Sequence, residues 1–224
     1  MEFVDWEPIY ESILADFGYG RGGDERARDE LAAEAEPFDT DRLDWHGDTV
    51  AVAGAGPSLE ATAEVAREAD TVVAASTATD RLTATGVAVD LMVTDLDKNP
   101  ETVVDRTRAG EPVAVHAHGD NRDLLAEVLP DVDTAHVLPT TQAAPSGPVV
   151  NYGGFTDGDR AAYLADALGA AELRFCGWDF DDETLSESKA RKLWWAERLL
   201  ERLERDRDER FGVLDDRRDE IERL

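Results

Sequence analysis

Thr49-Val50-Ala51-Val52-Ala53-Gly54-Ala55-Gly56-Pro57-Ser58 is a short apolar, β-favouring run that stops at two glycines and a proline and passes into a stretch with helical spacing. A strand that closes on a glycine turn before a helix opens a strand–helix–strand unit. The pattern recurs downstream. Strands are predicted at 71–75, 91–93, 113–115, 134–138 and 173–176, and helices near 59–69, 80–85, 100–108, 121–129 and 157–168. Strand alternating with helix specifies an α/β fold, a mainly parallel sheet with helices on both faces. Ligands of such sheets bind beyond the carboxyl ends of the strands, and every polar motif in this chain falls at such an end.

Outward from that core the pattern becomes helical. Trp6, Ile9, Tyr10, Ile13, Leu14 and Phe17 recur at three- and four-residue spacing, so the first segment is an amphipathic helix ending at Gly18 and Gly20. A second helix is predicted over Asp24 to Ala35, and with Leu43-Asp44-Trp45 these make a helical segment over 1–47 whose aromatic stripe reads as core or interface. The α/β domain then occupies 48–185. From about Ser186 a charged helical segment, 186–224, carries Leu193, Trp194, Leu200, Leu203 and Leu214 as an apolar stripe that packs on the domain or on a second subunit of a homodimer.

Composition limits the function classes. Against 51 Asp and Glu stand 23 Lys and Arg, a net charge of −28 spread along all 224 residues. A surface so dense in carboxylates suits a high-salt cytoplasm that screens the repulsion, which points to a halophilic source. It disfavours nucleic-acid and anionic-membrane partners. The single cysteine, Cys176, allows no internal disulfide and no cysteine metal cluster. Glu2, Asp5 and Glu7 are wrong for a signal peptide, and no apolar run nears the ~20 residues of a membrane span. A soluble cytoplasmic protein is expected.

Val93-Thr94-Asp95-Leu96-Asp97 closes the third strand. Alternation along a strand puts Asp95 and Asp97 on one side, a like-charge pair suited to a divalent cation or a shared proton, although a plain polar loop has the same pattern. Gly54, Gly56, Pro57 and Ser58 form a loop whose backbone N–H groups can approach phosphate oxygens, with Ser58 able to cap the next helix. It is a poor dinucleotide fingerprint, because Ala75-Ser76-Thr77 ends the second strand without an acidic ribose partner. His116-Ala117-His118-Gly119-Asp120-Asn121 closes the fourth strand; zinc is conceivable there, work on phosphate or a carboxylate network is favoured, and Asn121 can equally be a helix cap. Gly153-Gly154-Phe155-Thr156-Asp157-Gly158-Asp159-Arg160 places a guanidinium at a helix start, where Thr156 or Asp157 can cap and Arg160 can meet polyphosphate. Gly177-Trp178-Asp179-Phe180-Asp181 repeats the carboxylate theme. Lys189 and Lys192 are two of only three lysines in the chain, the third being Lys98.

In this order the motifs 54–58, 94–97, 116–121, 153–160 and 177–179 resemble the archaeal 6-hydroxymethyl-7,8-dihydropterin pyrophosphokinases, whose catalytic domain is similar to thiamine pyrophosphokinase and Rossmann-like. Lys98, after the second carboxylate, departs from the family pattern. The resemblance implies Mg²⁺-dependent transfer of diphosphate from ATP to the hydroxymethyl group of a reduced pterin, with release of AMP, in tetrahydromethanopterin- or folate-type biosynthesis. On it Asp95 and Asp97 hold the metal, with Asp120 as third ligand or neighbour. Gly54, Gly56, Pro57, Ser58, Asn121, Thr156 and Asp157 approach the nucleotide, and Arg160, Lys189 and Lys192 neutralise phosphates. His118 is a candidate general base. Thiamine as acceptor and a non-catalytic nucleotide-binding module are the alternatives. An NAD-dependent oxidoreductase is disfavoured by the missing acidic partner.

Overall fold

A computed structural model describes residues 1–182 and 184–224. In chain order its elements are α1 (Phe3–Phe17), α2 (Arg21–Glu34), β1 (Thr49–Ala53), α3 (Leu59–Thr62), α4 (Glu64–Glu68), β2 (Thr71–Ala75), α5 (Ala78–Ala84), β3 (Leu91–Thr94), α6 (Pro100–Arg108), β4 (Val113–Ala117), α7 (Arg122–Val128), β5 (Val137–Thr141), α8 (Asp157–Ala167), β6 (Glu172–Cys176) and α9 (Glu187–Asp206). The α/β alternation read from the sequence is present, and β1 with β2, β1 with β6, β3 with β4 and β4 with β5 all pair in parallel. Among the described residues no helix is long and apolar enough to cross a membrane.

The backbone divides into two compact units. The first comprises 1–43 and 90–153, with strands in the order β5-β4-β3. Its core gathers Ala27 and Leu31 of α2, Met92 of β3, Leu96, Val103 of α6, Val113, Val115 and Ala117 of β4, and Leu125 and Val128 of α7. β4 and β5 are buried at every residue, as strands covered on both faces must be. The aromatic stripe of α1 is core: Trp6, Tyr10 and Ile13 are almost fully buried. Gly18 ends α1 at φ +70, a left-handed cap that glycine adopts without strain.

The second unit comprises 44–89 and 154–224, with strands in the order β2-β1-β6. Ala51 and Ala53 of β1, Val72 and Ala74 of β2, Leu59, Ala63 and Ala66 of the α3–α4 stretch, Leu82 of α5 and Cys176 form its core.

Three expectations are corrected. The helix predicted over 59–69 is broken into α3 and α4. Thr62 Oγ1 donates to the Ser58 carbonyl (2.9 Å) and accepts from Gly177 N–H (3.0 Å), and such back-bonding by threonine competes with the helix ladder. The strand expected over 134–138 starts at Val137, because the Asp133 carboxylate takes the Ala135 N–H (3.2 Å) and winds 134–136 into a 3-10 turn. Pro139 is tolerated in β5 because that strand stands at the end of its unit's order. At the C-terminus α9 stops at Asp206, and Leu214 lies in a 3-10 turn rather than on the helix stripe. That last segment folds back on α9: Arg218 forks onto Glu204 (2.6 and 2.7 Å), and Phe211, fully buried, donates its N–H to the same carboxylate (2.6 Å).

Candidate active site

In the first unit, β3 ends at the buried Thr94, whose hydroxyl accepts the Leu96 N–H (3.0 Å). Leu96 then takes φ +70 and sinks into the core at 1% exposure. Strand alternation is therefore not what exposes the two carboxylates. A left-handed residue turned inward does it, leaving Asp95 and Asp97 on either side, with Asp97 N–H bonded to Asp95 Oδ1 (3.2 Å). Such a backbone costs a β-carbon residue about 1–2 kcal/mol, offset by burying the leucine. Leu96→Ala, which keeps the strain and loses the burial, is expected to destabilise the fold by about 3 kcal/mol in urea melts.

His118 stands beside the pair. Its Nδ1 accepts the Asp120 N–H (3.3 Å), so the ring hydrogen facing Asp95 Oδ2 (3.3 Å) is on Nε2. In this pose the His118 ring hydrogen is turned to Asp95. Asn121, 2% exposed, spends its side chain on backbone: its amide donates to the carbonyls of Asp95 (2.8 Å) and His116 (2.7 Å), and its oxygen accepts the His118 N–H (3.0 Å). It ties the β3 loop to the β4 turn, and although Asn121 stands at the N-cap position of α7 its side chain makes no cap bond there. Burial pushes the Asp97 carboxyl up, and the Asp95 charge adds to this against the pull of Lys98 Nζ at 2.9 Å. Asp120 is exposed, and its charge, after burial, helps raise the Tyr19 hydroxyl. Among the described residues no three His, Cys, Asp or Glu side chains are grouped to hold a metal unaided.

Asp24 was not singled out in the sequence, where it marked only a helix start. It is 5% exposed; Oδ1 accepts Gly119 N–H (2.7 Å), and Oδ2 accepts Tyr10 Oη–H (2.7 Å) and Gln142 Nε2–H (2.8 Å). The α1–α2 hairpin is thereby fastened to the turn that carries His118 and Asp120. The approach is close: a Cβ on Gly119 would lie 3.2 Å from Gly23 Cα.

In the second unit the 54–58 loop lies against 177–179. Gly54 N–H donates to Cys176 O and Gly56 N–H to Gly177 O (2.9 Å each), while Ser58 N–H (3.0 Å) and Oγ–H (2.8 Å) both go to Asp179 Oδ2. The expectation that Gly54 and Gly56 turn their N–H groups to phosphate is corrected, since those donors are spent within the unit. The glycines answer to a steric need instead: a Cβ on Gly54 would lie 2.6 Å from Gly177 O, and one on Gly56 would be 2.7 Å from the same oxygen. Ser58 makes no side-chain cap on α3, and Pro57 is exposed. Gly177 has φ +69, and a Cβ there would lie 2.9 Å from Leu59 Cβ. Gly177→Ala is expected to cost about 2–4 kcal/mol, read as a lowered melting temperature.

At the start of α8, Asp159 is fully buried and accepts Thr156 N–H (2.9 Å) together with the Phe155 N–H and the Thr156 hydroxyl. Burial pushes its carboxyl up while these bonds pull it down. Thr156 is thus the N-cap of α8, in a capping box with Asp159, as one of the two expected caps, and Asp157 pairs with Arg160 (3.0 Å), both mostly buried. Lys189 and Lys192 lie in the first turns of α9, Lys189 exposed and its N–H accepted by Ser186 Oγ (3.3 Å).

Residues 30–184 match the family described as 6-hydroxymethylpterin diphosphokinase MptE-like. The chain belongs to this family. A 6-hydroxymethyl-7,8-dihydropterin pyrophosphokinase of Methanothermobacter thermautotrophicus is 38% identical over 231 residues, covering 94% of this chain and 99% of the relative. One of Pyrococcus furiosus is 39% identical over 223 residues, 90% and 94% of the two chains, and one of Methanocaldococcus jannaschii 29% over 194 residues, 80% of each. The family match spans β1 to β6 and so takes in the Asp95–His118 cluster, the glycine loop and the start of α8.

Proposed function

We propose that this family member transfers the diphosphate group of ATP to the hydroxymethyl oxygen of 6-hydroxymethyl-7,8-dihydropterin in the cytoplasm, releasing AMP, for tetrahydromethanopterin- or folate-type pterin biosynthesis. The observation that carries the reading is the carboxylate pair Asp95 and Asp97 in a chain aligned nearly end to end with two relatives named for that activity. The pair fits Mg²⁺. Its donors are hard oxygens, burial and mutual repulsion already push Asp97 up, and Mg²⁺ takes one or two carboxylates with water and phosphate oxygens rather than a full protein cage. When bound, the ion neutralises phosphate charge and polarises the transferred group.

The chain's own residues do the placing. His118 Nε2–H holds Asp95 Oδ2, Asn121 fixes the backbone on which both carboxylates ride, and Asp120 acts from the outer shell rather than as a third ligand. Arg160, kept in position by Asp157, and Lys189 and Lys192 on α9 supply positive charge for phosphates. Gly54, Gly56, Pro57 and Ser58 give the loop its shape beside the nucleotide, with Thr156 setting the entry to α8. Transfer needs little more than such positioning and charge stabilisation.

The test is an assay in molar salt with Mg²⁺, ATP and the pterin. AMP appearing in step with a pterin diphosphate is the expected result, and AMP appearing with thiamine but not with the pterin overturns the acceptor. The reading includes a homodimer, to which Trp194, 41% exposed on α9, offers an apolar contact. Light scattering in the same salt is then expected to give about twice the chain's 24.6 kDa, and the single-chain mass removes the dimer.

A further inference from the structure

We infer that Asp179 is a positioning residue whose carboxylate sets the 54–58 loop in the shape that receives the nucleotide. The inference rests on the ATP-dependent reading above and goes beyond it, since the second strand-end carboxylate has no role there. The segment after β6 grips the end of β1 at three places. Trp178 Nε1–H donates to Val52 O (3.2 Å), Gly177 O accepts Gly56 N–H (2.9 Å), and Asp179 Oδ2 takes both donors of Ser58. Two of these grips hold backbone near the strand. The third takes both the N–H and the hydroxyl of the last residue of the loop. Gly56 has to be glycine in part because Asp179 Oδ2 comes into contact with the place where its Cβ would stand. From the other side, Arg81 Nη1–H donates to Ala55 O (2.8 Å) while its Nε–H pairs with Glu60 (2.7 Å), and Asp179 adds its charge to the field on that guanidinium.

Strand register does not depend on Asp179, because Ala53 pairs with Cys176 through backbone. Losing the carboxylate therefore frees the loop without undoing the sheet, and nucleotide binding is charged for ordering it again. A spent carboxylate of this kind acts through geometry, so an amide oxygen that accepts the same two bonds should replace it.

The experiment compares the parent, Asp179→Ala, Asp179→Asn, Ser58→Ala and the Asp179→Ala/Ser58→Ala pair in the Mg²⁺, ATP and pterin assay. Asp179→Ala is expected to raise KM for ATP about tenfold with kcat within about threefold, which is the loss of two bonds to a charged acceptor. Asp179→Asn is expected to stay within about threefold of the parent, Ser58→Ala to fall between, and the double variant to be no worse than Asp179→Ala. An unchanged KM in Asp179→Ala overturns the inference, and so does an Asp179→Asn as impaired as the alanine, since charge and not position would then be at work. Should Asp179→Ala fail to fold, Ser58→Ala and Asp179→Asn carry the same decision. If the parent itself makes no AMP, the functional reading has failed separately. Hydrogen exchange then decides the loop: the Ser58 amide should exchange at least about tenfold faster in Asp179→Ala with β1 amides unchanged, and equal exchange overturns the positioning role.

Discussion

Asp95→Asn and Asp97→Asn are each expected to lower kcat at least about a hundredfold, with the sheet intact by circular dichroism. An asparagine keeps the size of the side chain and one acceptor oxygen, so the Asp97 N–H can still be met at position 95. What it removes is the negative charge that a divalent cation needs. For Asp97 the exchange should cost the metal-free protein nothing. Burial and the Asp95 charge hold its carboxyl above the ordinary range, so its ionised form is disfavoured in the folded state and the neutral amide melts no lower than the parent. Lost turnover together with a retained melting temperature is the signature of a group kept for function. Parent rates in either variant would remove the metal assignment.

Asp24→Ala is expected to cost about 3 kcal/mol, or about 6–12 °C in melting temperature for a chain of this size. The carboxylate is buried and serves three donors at 2.7–2.8 Å, so its loss leaves Gly119 N–H, Tyr10 Oη–H and Gln142 Nε2–H without the partner they were desolvated for. Asp24→Asn should lie between, since its oxygen accepts and its NH₂ faces donors. Because Gly119 follows His118 directly, turnover should fall along with stability even though Asp24 touches no substrate. A melting temperature lowered by less than about 2 °C would mean that water takes over the three bonds.

The fold was legible because it rests on local signals. The strand bounds 49–53 and 71–75 and the helix 100–108 coincide with the structure, each apolar run being punctuated by glycine, proline or charge. β5 was placed too early because the β-branched Thr134 runs on without a break into Val137-Leu138, and nothing in that run reveals that Asp133 captures the next turn. At the site the D-x-D and H-x-H patterns were visible as patterns, but their mechanics were not. The pair is exposed by Leu96 turning inward, and residue types do not announce a left-handed leucine. The glycines of the 54–58 loop were read as room for a ligand, whereas their room is taken by a strand end 121 residues further on. Asp24 acts on Gly119 across 95 residues. Such partners are set by tertiary approach, which spacing along the chain does not encode.

The interleaving of the two units also sets a timetable for synthesis. All of the first unit has been made once residue 153 is added, so β3, β4 and β5 can pair while 154–224 are still being translated. β1 is made earlier than any of these yet must wait for β6, because Thr49 is paired with Glu172, 123 residues later. Until then its Val50-Ala51-Val52 stretch is an apolar strand lacking one neighbour, which is when a nascent chain is most exposed to wrong pairing. Closing contacts of such sequence separation is slow, so the second unit should fold after the first, and refolding from denaturant should be biphasic.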